Sequence, residues 1–236
     1  MGGQNLSPID LPMVITIDGP AGTGKSSVAR HVADRLRFDF LDTGAMYRAI
    51  ALAAVRRQSD LDDPRELEFV ARHARIEFDW SAHPPAVLLN DEPVGHLLRS
   101  AEVTAAASQI AVVAAIRRQL VDQQRKIGQN RCRLVTEGRD QGSVVFPDAQ
   151  LKIYLDADPA ERGRRRVAQL RARGEVVDPA EILRQIVERD QRDSGRSTGP
   201  LAVASDAKVI DTTHLTQQQV IDSIVQMARE QLRGVT

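Results

Sequence analysis

The segment Gly19-Pro20-Ala21-Gly22-Thr23-Gly24-Lys25-Ser26 fits G-x-x-x-x-G-K-[ST] at every fixed position. It lies between an apolar run, Met13 to Ile17, and a stretch from Ser26 to Leu36 that puts Val28, Ala29, Val32, Ala33 and Leu36 on one helical face. A buried strand entering such a loop and an amphipathic helix leaving it restrict the chain to few folds. The loop has to wrap an anion with backbone N–H groups, and glycine lets the main chain come close and take unusual dihedrals. The helix then aims the positive end of its dipole at the same anion. In this layout Lys25 adds charge at the β and γ phosphates of a nucleoside triphosphate, Ser26 offers its hydroxyl to Mg²⁺, and the cradle runs from Gly19 through Ser27.

Beyond the loop, strand-like and helix-like segments alternate. Phe38 to Leu41, Arg133 to Thr136, Leu151 to Leu155 and Lys208 to Ile210 read as strands, and Gly44 to Arg57, Pro159 to Arg173, Pro179 to Asp193 and Thr216 to Leu232 as helices, the last capped by Thr216. Alternation of this kind implies a parallel sheet with helices on both faces, an α/β fold of the P-loop NTPase type. One region breaks the pattern. After the acidic Asp60 to Asp63 and a short helix from Pro64 to His73, Arg75 to Trp80 and Ala86 to Asn90 read as strands, with Asn90-Asp91 as a hairpin turn before Glu92-Pro93-Val94. This predicts a small antiparallel β insertion. Ala101 to Ile127 is helical with a break near Val113. The 236 residues suit a single domain, and no internal repeat is evident.

Composition narrows the function classes. Formal net charge is zero and aromatics are 3%, which argues against a general nucleic-acid binder or a stacking platform. Met1 to Pro12 lacks a signal pattern, and the apolar run Ile110 to Ile116 is too short to span a bilayer, so no membrane association and a cytoplasmic location are expected. Cys132 is alone and reads as a small buried thiol at a strand start. His31, His73, His83, His96 and His214 lack metal-ligand spacing. The basic residues are 28 Arg and 4 Lys, a bias toward the planar fork that grips phosphates and carboxylates.

Three clusters could face the loop from the carboxyl ends of strands or from a helix: Leu41-Asp42-Thr43-Gly44-Ala45-Met46-Tyr47-Arg48, Glu137-Gly138-Arg139-Asp140-Gln141-Gly142, and Arg189-Asp190-Gln191-Arg192-Asp193-Ser194-Gly195-Arg196. In the third, Arg189, Asp193 and Arg196 share one face if the helix continues past Gly195. With ITIDGPAGTGKSS, AASQIA and EGRDQGSVVFPDA in the same order, these segments resemble the bacterial cytidylate kinase family, a branch of the nucleoside monophosphate kinases, over nearly the whole chain.

The resemblance implies transfer of the γ-phosphoryl group of ATP to CMP or dCMP, with Mg²⁺. It implies that Thr43, Arg48 and Arg139 hold the acceptor phosphate, that Ser108, Arg117 and Asp140 read the cytosine edge, and that Arg189, Asp193 and Arg196 contact the acceptor's sugar or phosphate side. A carboxylate suits the N4 amino donor of cytosine and disfavours the acceptor that uracil carries there. It further implies an inserted nucleoside monophosphate-binding subdomain at about 60–115 and a short lid at about 160–178. From the lid, Arg162 and Arg166 join Lys25 and Arg139 as catalytic groups. Asp42 and Asp140 are candidates to hold Mg²⁺ through water, whereas Asp18 reads equally as a structural strand-end carboxylate. A monomer is expected. Two alternatives stay open: a kinase of the same fold acting on UMP, AMP or shikimate, and a nucleotide-binding switch, although no Asn-Lys-x-Asp motif is evident.

Overall fold

The computed structural model describes residues 12–196 and 198–234; most of the polar amino-terminal stretch lies outside them. The strands β1 (Met13–Asp18), β2 (Asp39–Asp42), β6 (Arg133–Glu137), β7 (Leu151–Asp156) and β8 (Lys208–Asp211) form one parallel sheet in the order β2-β6-β1-β7-β8. In register, Ile15 on β1 lies between Val135 on β6 and Leu151 on β7. Both faces of this centre are covered, so its strands are continuous apolar runs rather than alternating ones.

Successive residues of the strands point to opposite faces. On one side Met13, Ile15, Ile17, Phe40 and Val135 meet Val28, Val32, Ile221 and Ile224 from α1 (Lys25–Leu36) and α8 (Gln217–Arg233). On the other, Leu41 and Leu134 meet Met46, Ile50, Ile110, Ile116 and Leu120 from α2 (Thr43–Arg56), α4 (Ala101–Ile110) and α5 (Ala114–Asn130). The break expected near Val113 falls between α4 and α5. Thr216 caps α8 in a reciprocal box with Gln219.

The predicted insertion is present. It consists of α3 (Pro64–His73) and a separate antiparallel sheet of β3 (Ile76–Asp79), β4 (Ala86–Leu89) and β5 (Glu92–Pro93). Asn90 and Asp91 turn the hairpin with φ of 50° and 70°, values these two residue types tolerate well. Ile76 and Leu89 anchor the small sheet in the α2 side of the core. Side chains of α5 fasten its backbone: Gln119 donates to the Ala71 carbonyl at 2.8 Å and Gln123 to that of Ile76 at 2.5 Å.

After β7 the chain forms a hairpin of α6 (Pro159–Arg171) and α7 (Pro179–Ser194), held by Val167, Leu170, Ile182 and Ile186. Asp158 and Asp178 cap the two helices, each accepting from the second residue beyond it, with proline at the first helical position. Cys132 departs from expectation. Its carbonyl accepts from Met13 N at 2.7 Å and extends the β1–β6 pairing, but it precedes the strand at the amino-terminal rim of the sheet, so its thiol is exposed. Among the described residues no helix is long and apolar enough to cross a membrane.

Candidate active site

The chain leaves β1 for an edge strand, β2, and returns beside β1 as β6. This reversal opens a crevice at the carboxyl ends of the strands, where ligands of open α/β sheets gather. The phosphate loop lies there. At Gly19 φ is +145°, and a Cβ would stand 2.0 Å from the Leu155 carbonyl oxygen on β7, so only glycine passes. Gly24 takes the left-handed conformation at the N-cap of α1 and frees the helix's first N–H groups. The Lys25 ammonium is folded onto its own loop, donating to the Pro20 carbonyl at 2.6 Å and to Thr23 Oγ1 at 3.5 Å. Burial lowers its pKa, Arg139 reinforces the effect, and Glu137 opposes it.

Side chains from four other elements converge on this point. Arg139 and Asp140 follow β6, and Asp18 fixes that turn by accepting from the amides of Gln141 at 2.9 Å and Gly142 at 2.7 Å. Asp18 is therefore the strand-end structural carboxylate; burial pushes its pKa up to about 7 against those hydrogen bonds. Arg139 Nε donates to Asp193 at 2.7 Å, and Arg196 also pairs with Asp193. Arg189 stands 4.0 Å from the same carboxylate. Helix α7 ends at Ser194, so Arg196 reaches Asp193 from beyond the helix rather than along its face.

Burial works against the charge on Asp193, but the three arginines outweigh it and hold its pKa below the usual carboxylate range. Arg139 is likewise held above its ordinary value despite burial, by Asp193 first and then Glu137. Arg189, with less compensation, is lowered to about 10 by burial and by Arg139.

Arg117 on α5 pairs with Asp140, both nearly inaccessible, and donates to the Tyr47 hydroxyl at 3.3 Å. Burial raises Asp140 although Arg117 and Arg196 oppose it, and burial raises Tyr47 to about 12. Arg48 pairs with Asp42 at 3.0 Å, and Arg99 approaches the same carboxylate at 3.8 Å. Thr43 is buried with its hydroxyl donating to the Glu137 carbonyl at 2.6 Å, and Ser108 is buried on α4. Lys25 feels Arg139 and Arg189, Arg189 in turn feels Arg139, Arg48 and Arg196, and Arg196 feels Arg117, so the six cations form one connected cluster.

Four of these guanidinium groups are unfinished. The Nε atoms of Arg48, Arg117, Arg189 and Arg196 are buried without a hydrogen-bond partner. An unmet buried donor costs about 1–3 kcal/mol, so the cluster is built around acceptors that the protein itself does not supply.

Of the arginines on α6, Arg162 meets the phosphate loop: it donates to the Ala21 carbonyl at 3.0 Å and the Ala157 carbonyl at 2.9 Å, and pairs with Asp190. Arg166, one turn on, is half-buried beside Arg173, Glu175 and Arg99. Those three line a cleft of about 630 Å³ between the α6–α7 connection and the insertion. The structure therefore does not bring Arg166 to Lys25. Arg164 and Arg165 are taken by Glu161, and Arg165 also by Thr212.

Asp42 and Asp140 do not fit Mg²⁺: the first caps α2 through Ala45 N at 2.8 Å and holds Arg48, and the second is closed by Arg117. Ser26 fits. Its hydroxyl donates to Glu137 Oε1 at 2.7 Å, which places a hydroxyl and a carboxylate oxygen, ligands suited to a hard cation, beside the loop. No group of three or more His, Cys, Asp or Glu side chains with metal-binding geometry occurs among the described residues, so such an ion would depend on phosphate and water for its other ligands.

Tyr47, Asp190 and Glu137 escaped sequence reasoning as site residues. Each lies inside a segment singled out there, but only contacts across the fold reveal its part.

A five-stranded parallel sheet, a glycine loop opening α1 and a dry arginine cluster facing it define a P-loop protein that handles two phosphate-bearing ligands. The family model described as cytidylate kinase matches residues 15–230, and the chain belongs to that family. A cytidylate kinase of Solibacter usitatus (strain Ellin6076) is 43% identical over 222 residues, 93% of this chain and 94% of the relative. One of Caldanaerobacter subterraneus subsp. tengcongensis is 41% identical over 226 residues, 96% of this chain and 99% of the relative. A bifunctional pantoate ligase/cytidylate kinase of Synechococcus sp. (strain JA-3-3Ab) is 47% identical over 222 residues; the chain covers only 41% of that protein's length.

Proposed function

We propose that the protein transfers the γ-phosphoryl group of ATP to CMP or dCMP, giving ADP and the diphosphate. The observation that carries this reading is the set of four buried, unpartnered guanidinium N–H groups strung out from Lys25. Two unit negative charges 4 Å apart repel by about 4 kcal/mol at an effective dielectric of 20, and nucleotide phosphates carry more than one charge each. Bringing them together needs fixed cations in a dry cleft, and arginine supplies these with directional donors.

In this reading Gly19 to Ser27 cradle the donor phosphates, and Lys25 leaves the Pro20 carbonyl for the transferring group. Arg48 and Arg139 hold the acceptor phosphate beside Thr43, while Arg189, Asp193 and Arg196 hold its sugar side. Arg117 and Asp140, with Ser108, read the base, and Tyr47 orients Arg117. Ser26 and Glu137 would hold Mg²⁺, which when bound would neutralise charge on the donor phosphates. The acceptor is already an anionic oxygen, so no general base is required.

Residues 60–115 act as the acceptor-binding subdomain and 160–178 as a lid. Lid closure carries Arg166 across the cleft toward the transferring group, where Arg162 already stands. CMP, dCMP and ATP are the ligands, and the working form is a cytoplasmic monomer.

ADP release measured with CMP, dCMP, UMP and AMP tests the assignment: CMP and dCMP should lead by at least about tenfold, the scale of one mismatched buried polar contact. A preference for AMP would overturn the acceptor, and hydrolysis without any acceptor would favour the switch.

A further inference from the structure

Helix α7 faces two ways. Arg189 and Asp193 turn into the acceptor cluster, whereas Asp190 turns to the phosphate loop. The Asp190 carboxylate accepts from Ala21 N at 3.1 Å and pairs with Arg162, whose guanidinium also donates to the Ala21 carbonyl. Both polar groups of Ala21 are thus held by side chains of the α6–α7 hairpin. The neighbouring Gly22 is packed close under Arg162, where an added Cβ would come within 3.1 Å of the Arg162 Cβ. This loop has to re-form its hydrogen bonds around incoming phosphates, and those anions would arrive beside an Asp190 carboxylate that is largely buried. Repulsion between them, together with the pull of phosphate on Arg162, would strain the clamp, which stands on the same helix as Arg189 and Asp193.

We infer that Asp190 is the positioning residue through which an occupied donor loop sets the acceptor arginines: from one helix it holds Ala21 and Arg162 on the donor side while its neighbours Arg189 and Asp193 build the acceptor side. The inference rests on the acceptor assignment above, and it makes the two sites energetically linked. Linkage is reciprocal, so donor and acceptor must alter each other's affinity by one common factor.

Calorimetric titration of CMP, with and without the β,γ-methylene analogue of ATP plus Mg²⁺, measures that factor. In the unmodified protein it should be about fivefold or more, the lower end of typical couplings. Asp190→Ala should bring it to within about twofold of unity while the affinity for CMP alone stays within about threefold, although the melting temperature should fall because Arg162 loses its buried partner. Asp190→Asn, which keeps an acceptor for Ala21 N but loses the ion pair, should retain part of the coupling, and it serves as the test if the alanine variant fails to fold. Full coupling in the substituted protein, no coupling in the unmodified one, or a joint fall of both separate affinities with the melting temperature would each overturn the inference. Failure of the unmodified protein to bind CMP at all would instead overturn the acceptor assignment.

Discussion

On the proposed function, the donor and acceptor halves of the site meet at Lys25 but are made differently. The donor half is one unbroken octapeptide, Gly19 to Ser26, that works with main-chain N–H groups and a single lysine. The acceptor half is assembled from α2, α5, the turn after β6 and α7, and it works with guanidinium side chains held by Asp42, Asp140 and Asp193. A main-chain cradle has its shape set by local dihedrals and recognises phosphate without regard to what the phosphate is attached to. A side-chain cradle has to be braced by carboxylates because its charges repel one another, and that bracing gives it the shape of one acceptor. On that reading, general affinity and selectivity are separated in space.

The contrast can be broken hardest at Lys25. Lys25→Ala should lower turnover about a thousandfold, as removal of a donor acting on developing transition-state charge does, with the melting temperature nearly unchanged. Near-normal ADP release would contradict the donor assignment. Arg139→Ala comes next. It removes a guanidinium from the proposed acceptor-phosphate site, and a hydrogen bond to a charged group is worth about 1.5–3 kcal/mol, so kcat/KM for CMP should fall roughly ten- to a hundredfold. KM for ATP should move only a few-fold; equal damage to both would erase the distinction between the halves.

Asp140→Asn sharpens the contrast further. It should reduce the preference for CMP over UMP by about tenfold, the scale of one lost base contact, and leave donor binding intact. An unchanged CMP to UMP ratio would remove Asp140 from base reading.

The smallest effect concerns Asp18, which joins the halves by standing at the foot of the loop and holding the turn of Arg139 and Asp140. Its pKa is raised from 3.8 to about 7 in the folded chain, mainly by burial. The folded state therefore carries an extra proton between those values, and stability from this group is present at low pH and lost as pH rises through about 7. Asp18→Asn should flatten that part of the melting temperature against pH; a curve parallel to that of the unmodified protein would show that Asp18 does not titrate there.

Much of the fold and of the site was legible in the residues. The phosphate loop, the strand–helix alternation, the β insertion with its Asn90-Asp91 turn and the break near Val113 follow from periodicity and turn chemistry, which act over a few residues. Cys132 was misread because thiols are usually buried, whereas its exposure depends on where the sheet's rim falls. Asp42 and Asp140, candidates for Mg²⁺ from their motifs, are found paired with Arg48 and Arg117: a carboxylate in a motif looks free until its arginine is placed.

Local sequence by itself determined that a strand, a glycine loop and a helix would make a phosphate cradle here, because dihedral freedom, helix polarity and apolar spacing are properties of neighbours along the chain. Only the tertiary structure decided that Arg117, Arg139 and Arg189, which enter from three separate elements, would share one desolvated pocket and that Asp190 would reach back to Ala21. Coulomb interactions depend on distance and burial in three dimensions, and no spacing along the chain encodes either.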